Sequence, residues 1–142
     1  MSEPAGQQGP PRGPALTVDG IVVEQGSVLL IRRRNPPFAG CYALPGGFVD
    51  YGERVEAAVA REVQEETGLA VAVDRLVGVY SAPDRDPRGH TVSVAYLVHR
   101  VGGTLAGADD ADDARFFRFD ALPPLAFDHA QILADARALL AK

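Results

Sequence analysis

The spacing of apolar residues divides this chain into strands and helices before composition is considered. Leu16 to Val23 and Val28 to Arg32 are apolar, β-branched runs separated by Glu24-Gln25-Gly26-Ser27, which predicts a hairpin. Pro36-Pro37 forces a loop over Arg33 to Gly40, and Pro45-Gly46-Gly47 permits a sharp turn. Apolar residues then recur at Val55, Val59 and Val63, the period of a helix, which ends near Thr67. Val71 to Tyr80 holds one or two strands. Thr91 to Val98 alternates, with Val92, Val94, Tyr96 and Val98 on one side, as a sheet strand does. Arg115 to Phe119 predicts a short strand, and Asp128 to Leu140 an amphipathic helix with Ile132, Leu133, Ala136, Leu139 and Leu140 apolar. Two helices and a mixed β-sheet suggest an α/β fold of the α/β/α sandwich type, without internal repeats.

Composition narrows the class. A chain of 142 residues with 46% hydrophobic content is one domain, large enough to bury roughly two-thirds of its surface. Its net charge of −5 argues against nucleic acid or an anionic membrane as partner. No apolar run is long enough to span a bilayer. Residues 1–14, rich in Pro, Gly and Gln, are expected to be a disordered tail ahead of a domain over residues 15–142. That tail has neither the basic start nor the apolar stretch of a secretory signal. Cys41 is the only cysteine, which excludes an internal disulfide and leans toward a reducing cytoplasm.

The chemistry gathers on the first helix. With Val55 as origin and about 100° per residue, Val59 falls near 40°, Val63 near 80°, Glu66 at about 20°, Glu62 at about 340° and Glu65 at about 280°. Glu62 and Glu66 therefore lie along the edge of the apolar stripe, while Arg54, Ala57, Arg61 and Gln64 take the other side. A solvated acidic face is the plain alternative. However, a glutamate sharing the angle of Val55 and Val59 is partly desolvated beside like charges, which costs energy unless a cation or a proton compensates. Hard oxygen ligands of this kind, completed by water and phosphate oxygens, suit Mg²⁺ or Mn²⁺. Ahead of the helix, Gly46 and Gly47 let the backbone approach a ligand closely. Asp50 with Glu53 would form a capping box, and Gly68 stands where a helix C-cap needs a left-handed residue.

The stretch from Gly47 runs glycine, five residues, Glu53, seven residues, then Arg61-Glu62-Val63-Gln64-Glu65-Glu66-Thr67-Gly68-Leu69. It resembles the Nudix box at every fixed position. Hydrolases carrying this box cleave nucleoside diphosphates linked to another group. The resemblance implies an α/β/α sandwich and a Mg²⁺-dependent enzyme, with Glu62, Glu65, Glu66 and the Gly46 carbonyl as metal ligands. It also implies that Glu53 pairs with Arg61 and braces the loop against the helix, a role that competes with the capping box. Relatives are commonly dimers, so a homodimer is a further expectation.

Two other segments bear on substrate. Ser81 to His90 is a loop by its prolines and glycine, in which Arg85 and Arg88 are placed to engage phosphate or ribose oxygens with forked hydrogen bonds. Its RDPRGH run, with Pro83 lying 14 positions after Leu69, looks like the ADP-ribose pyrophosphatase branch of the family. Asp109-Asp110-Ala111-Asp112-Asp113 is an acidic cluster of the kind that is mostly a solvated loop. In the resembled enzymes an acid from this loop swings toward the metals. Asp113, just before Ala114-Arg115-Phe116, is the first candidate for the base, although aspartate is one methylene shorter than the usual glutamate. Glu62 and then Asp110 are its rivals. His90, His99 and His129 are expected to be structural, since no second ligand stands near any of them. Phe127-Asp128-His129 resembles a run at the start of the last helix in this branch, with Asp128 as N-cap. Phe38, Tyr42, Phe48 and Tyr51 flank the glycine turn and would either stack on a base or pack under the loop.

The expected activity is Mg²⁺-dependent hydrolysis of a pyrophosphate bond, with ADP-ribose giving AMP and ribose 5-phosphate. Glu53, Arg61, Glu62, Glu66 and Asp113 would form the catalytic set, and Gly47, Phe48, Arg85 and Arg88 would meet the substrate. The alternatives are an oxidised dNTP or a dinucleoside polyphosphate as substrate, a non-catalytic nucleotide-sensing domain, and a purely structural or interaction domain without metal-dependent ligand binding.

Overall fold

The computed structural model describes residues 13–105 and 113–142. Most of the expected tail, and Asp109, Asp110 and Asp112 of the acidic cluster, lie outside the described residues. The elements in chain order are β1 (Ala15–Glu24), β2 (Ser27–Arg32), β3 (Tyr42–Ala43), β4 (Gly46–Phe48), α1 (Val55–Thr67), β5 (Leu69–Tyr80), β6 (Thr91–Gly103), β7 (Ala114–Arg118) and α2 (His129–Leu140), with a single 3₁₀ turn at Phe119–Ala121 between the last two. The strands form one mixed sheet in the order β3-β2-β1-β6-β5, with β4 added on β1 and β7 on β2.

Strand β1 is the hub. It runs parallel to β6 from Ala15 opposite Thr91 to Val22 opposite Val98. Its first half also pairs antiparallel with β4, Asp19 opposite Gly46, and its last residues pair with β2 through the Gln25-Gly26 turn. Both turn residues have positive φ, 51° and 77°, as a two-residue hairpin requires.

Alternation along β1 decides which helix each residue meets. Val18 and Val22 face α1, where they bury with Val59, Val63, Leu69 and Val98. Ile21 faces α2, where it buries with Leu30, Leu44, Leu97, Ile132 and Leu133. Each such fully buried aliphatic side chain contributes about 1.5–3 kcal/mol, so two apolar layers hold one sheet between two helices. Gly20 sits on the α1 face at the tightest point of this packing. A Cβ there would lie 2.7 Å from a Val63 methyl and 3.2 Å from a Val59 methyl, so the absence of a side chain lets α1 lie flat against β1.

The expected sandwich, hairpin and helices are all present, with shifts at their ends. The last strand begins and ends one residue earlier than the sequence suggests, because Phe119 opens the 3₁₀ turn. Strands β3 and β4, two and three residues long, fall where the sequence indicates only a turn. Segments that short carry no periodic signal, and it is β2 and β1 that supply their hydrogen-bond partners.

Candidate active site

Helix α1 begins at Val55 with Arg54 as N-cap, so Asp50 is not its cap. Glu53 instead accepts the Asp50 N–H at 3.0 Å and pairs with Arg61 at 2.7 Å, which joins both readings of this residue in one carboxylate. The Arg61 hydrogen bonds hold its carboxyl down at about 2. Gly68 closes the helix in the left-handed conformation, φ 82°, and its N–H binds the Gln64 carbonyl.

The orientation of Arg61 corrects the sequence picture. Its Cα leaves the helix on the side away from Glu66, yet the guanidinium folds back among the acids. It donates to Glu53, to Glu62 at 3.0 Å, to Glu65 at 3.1 Å and to the Phe48 carbonyl at 3.2 Å. A helical wheel locates Cα atoms, and an arginine side chain is long enough to reach across it. The result is a carboxylate cluster knit together by one cation.

Burial grades the three glutamates as the wheel suggests. Glu65 leaves 58% of its side chain exposed and Glu62 only 15%. Glu66 accepts the Gly46 N–H at 2.8 Å. Burial, against the pull of that hydrogen bond, pushes its carboxyl up to about 8, with the charges of Glu62, Asp19 and Glu65 adding to the rise. Burial likewise raises Glu62, with Arg61 opposing. The turn opposite the helix has no space to spare. A Cβ on Gly47 would stand 2.6 Å from the Glu62 carboxylate, and one on Gly46 would stand 2.0 Å from the Val18 carbonyl oxygen.

This donor set fits a hard divalent cation. Carboxylate oxygens of raised pKa gain when positive charge replaces their protons. Among the described residues no three acidic, His or Cys side chains converge into a ready-made metal cage, so any cation here would take much of its shell from water and from ligand oxygens.

Beside the turn lies an open cavity of about 190 Å³, smaller than the roughly 300–1,000 Å³ usual for sites that enclose a whole small molecule. Glu66, Gly46, Gly47 and Asp19 line it together with Arg33, Arg85, Arg88, Phe48 and Phe127. Arg88 lies 5.7 Å from the Phe127 ring centroid and 5.9 Å from that of Phe48, steadied by Asp86 at 2.8 Å. Arg33 lies 4.9 Å over Phe127, its hydrogen bonds spent on the Pro37 and Asn35 carbonyls. Desolvation first, and then the nearby Arg88, lower its pKa against the opposing pull of Asp86 and Glu66.

Three sequence expectations end differently. Arg85 reaches the cavity wall but is committed to structure: its guanidinium forks onto both oxygens of Asp128 at 2.9 and 2.6 Å and donates to Thr91, leaving 5% of the side chain exposed. Asp128 does stand at the N-cap of α2, but its carboxylate makes no cap hydrogen bond because Arg85 holds it. Asp113 does not line the cavity; Arg34 pairs with its carboxylate, and its carbonyl accepts the Arg32 N–H. Sequence reasoning missed Arg33, Phe127 and Asp19. Nothing in the Arg32-Arg33-Arg34 run marks out its middle member except strand alternation, which places it on the same side as Ile31 only after the strand has ended.

Comparison with known proteins agrees with this geometry. A family model for the NUDIX domain matches residues 13–136. The chain is 56% identical over 122 residues to an ADP-ribose pyrophosphatase of Methanocaldococcus jannaschii, covering 86% of this chain and 72% of that protein. Among solved structures, the NUDIX domain of Shewanella oneidensis NrtR complexed with ADP ribose is similar with a TM-score of 0.73 and 30% identity, covering 91% of this chain and 90% of that one. A MutT/nudix family protein from Enterococcus faecalis is similar with a TM-score of 0.77 and 33% identity, covering 96% of this chain and 66% of that one. With its glycine turn, its Glu53–Arg61 brace and its partly buried glutamates, the chain belongs to the NUDIX family.

Proposed function

We propose that this protein hydrolyses the pyrophosphate bond of a nucleoside diphosphate derivative with the help of Mg²⁺ or Mn²⁺, and that ADP-ribose is its substrate. The observation that carries this reading is the position of Glu66: a carboxyl of raised pKa, held by the Gly46 amide, on the wall of a cavity that also presents Arg33 and Arg88. The names of the Methanocaldococcus jannaschii relative and of the ADP-ribose complex support the choice of substrate.

Glu66, Glu62 and Glu65, with the Gly46 carbonyl, are the groups that would hold metal. When bound, a divalent cation neutralises the diphosphate and makes water a better nucleophile at neutral pH. This chain's own residues do the rest. Arg61 gathers Glu62 and Glu65 and is itself fixed by Glu53, so the acids keep their spacing before ligand arrives. Arg33 and Arg88 supply the positive charge that orients phosphate oxygens and stabilises charge gathering on the departing phosphate. Phe48 and Phe127 give the nucleoside an apolar wall. Water adds to one phosphorus, the bridging P–O bond breaks, and the products are AMP and ribose 5-phosphate. Glu66 or Glu62, not Asp113, is the proton acceptor favoured by burial and position.

The wider setting belongs to the same proposal. A homodimer is favoured by the apolar residues Leu76 and Val79 that β5 exposes at the edge of the sheet. The free thiol of Cys41 suits the reducing cytoplasm. No helix among the described residues is long and apolar enough to cross a membrane.

The test is a substrate panel assayed with and without Mg²⁺, with products identified by mass. Release of AMP and ribose 5-phosphate from ADP-ribose, abolished by chelator, is expected. Preference for an oxidised dNTP or a dinucleoside polyphosphate would overturn the substrate, and metal-dependent binding without turnover would indicate a sensing domain.

A further inference from the structure

His129 opens α2, 63 residues beyond Glu66 in the sequence, yet the two are joined through the turn that carries the glycines. The imidazole is almost fully buried and lies on the α2 face of the sheet. Its Nδ1 accepts the Leu44 N–H at 3.0 Å. A ring nitrogen that accepts has no proton, so in the neutral imidazole the proton is on Nε2. That Nε2 faces the Asp19 carboxylate at 3.6 Å. Asp19 is buried too, accepts the Ser93 hydroxyl, and pairs in register with Gly46. Its Oδ1 would stand 2.7 Å from a Cβ on Gly46.

The segment between is pinned at every step. Leu44 N–H goes to His129, the Pro45 carbonyl accepts the Gly20 N–H at 2.8 Å, and Gly46 N–H goes to Glu66. Of these anchors only His129 reaches the turn from α2. Strand β4 is only three residues long, and the amide of the buried Leu44 has the His129 ring as its acceptor, so removing the ring removes an anchor that the strand does not replace.

We propose that His129 is a positioning residue for the carboxylate site: by taking the Leu44 amide hydrogen and facing Asp19, it sets the turn whose Gly46 amide holds Glu66. The inference rests on the reading of Glu66 as a metal-holding carboxylate, and extends it to a residue outside the Nudix box. In metal sites, groups that orient the ligands without touching the ion change affinity by about 10–100-fold when removed.

Two variants of the full chain test this. His129→Leu removes both ring nitrogens, whereas His129→Asn keeps an acceptor on the Cγ branch where Nδ1 sits. In the metal-free protein, amide hydrogen exchange is followed at Leu44, Gly46 and the central residues of β6, and Mg²⁺ and Mn²⁺ uptake is then measured by calorimetry. His129→Leu is expected to speed exchange at Leu44 and Gly46 by at least about tenfold relative to β6. It should also weaken cation binding by about 10–100-fold. His129→Asn is expected to restore Leu44 and Gly46 protection and most of the affinity. A uniform loss of protection across β1, β6 and the turn would mark His129 as a core residue only and overturn the proposal. So would loss of Leu44 protection in either variant with cation binding intact. Should His129→Leu fail to fold, His129→Asn decides alone: turn protection and cation affinity that persist or fall together support the proposal, and a fall in one without the other overturns it. If wild-type protein takes up no cation, the proposed function fails, and the exchange at Gly46 still decides whether His129 sets the turn.

Discussion

Replacing Glu66 by glutamine should make the metal-free protein more stable while destroying its activity. Burial is the chief cause that pushes the folded carboxyl up to about 8 from its ordinary 4.5. At about 1.36 kcal/mol per pK unit, that interval corresponds to roughly 5 kcal/mol once the group is ionised in both states. At pH 7.5 the folded carboxyl is still largely protonated, and the cost is roughly 4 kcal/mol. Water penetration at the cavity mouth and small movements of the carboxylate screen part of this, leaving about 1–3 kcal/mol to be recovered by an uncharged side chain. The substituted glutamine can still accept the Gly46 N–H through its Oε1, so the turn keeps its anchor. For a chain of this size roughly 3 °C accompanies each kcal/mol, which gives a Tm higher by about 3–9 °C at pH 8.5. The sign follows from proton counting. The unfolded glutamate loses its proton first, so wild-type stability falls as pH rises from about 4.5 to about 8, and the advantage of Glu66→Gln should be small at pH 5 and grow across that window. Adding Mg²⁺ should reverse the order, because only the wild type gains from binding the ion in the folded state. Thermal denaturation at pH 5 and 8.5, with and without Mg²⁺, checks both limbs. A variant less stable than wild type at pH 8.5 without metal, or a gain independent of pH, would refute the reasoning, as would equal stabilisation of both proteins by Mg²⁺.

Other consequences follow from packing and charge. Gly47→Ala places a Cβ 2.6 Å from the Glu62 carboxylate, so cation affinity measured by calorimetry should drop about tenfold or more while the far-ultraviolet circular dichroism stays native. Gly20→Ala drives a methyl into Val63 and Val59 and should cost about 1–3 kcal/mol in urea denaturation, with a fall in turnover because the strained helix carries the glutamates. Arg85→Ala leaves the part-buried Asp128 without its partner; a loss of about 2–4 kcal/mol is expected, and a double-mutant cycle with Asp128→Asn should recover much of it. Burial depresses the pKa of His129, so the unfolded state takes up a proton before the folded one does, and stability should fall as pH drops below about 6.5. The acid limb of a stability profile should be shallower in His129→Asn than in wild type; identical limbs would mean the ring is protonated in the folded state.

Phase and spacing along the chain were enough to establish the hairpin, both helices, the α/β/α layering and the ordering of glutamate burial along α1, because a helix of period 3.6 and a strand of period 2 convert sequence position into direction. Val59 and Val63 had to face the sheet, and that alone placed Glu62 and Glu66 at its margin. The pairing of Glu53 with Arg61 followed from the resemblance to the Nudix box. What local spacing does not contain is the reach of long side chains and the meeting of segments far apart. The return of Arg61 among the acids, the loss of Arg85 to Asp128, the pairing of Asp113 with Arg34, and the placing of Arg33 and Phe127 on the cavity wall all depend on which side chains the sheet and α2 bring within a few ångströms. The same is true of His129 and Leu44. Those contacts are settled by competition for hydrogen-bond partners in a desolvated interior, where each buried polar group must find the partner that folding puts nearest, whatever its distance along the chain.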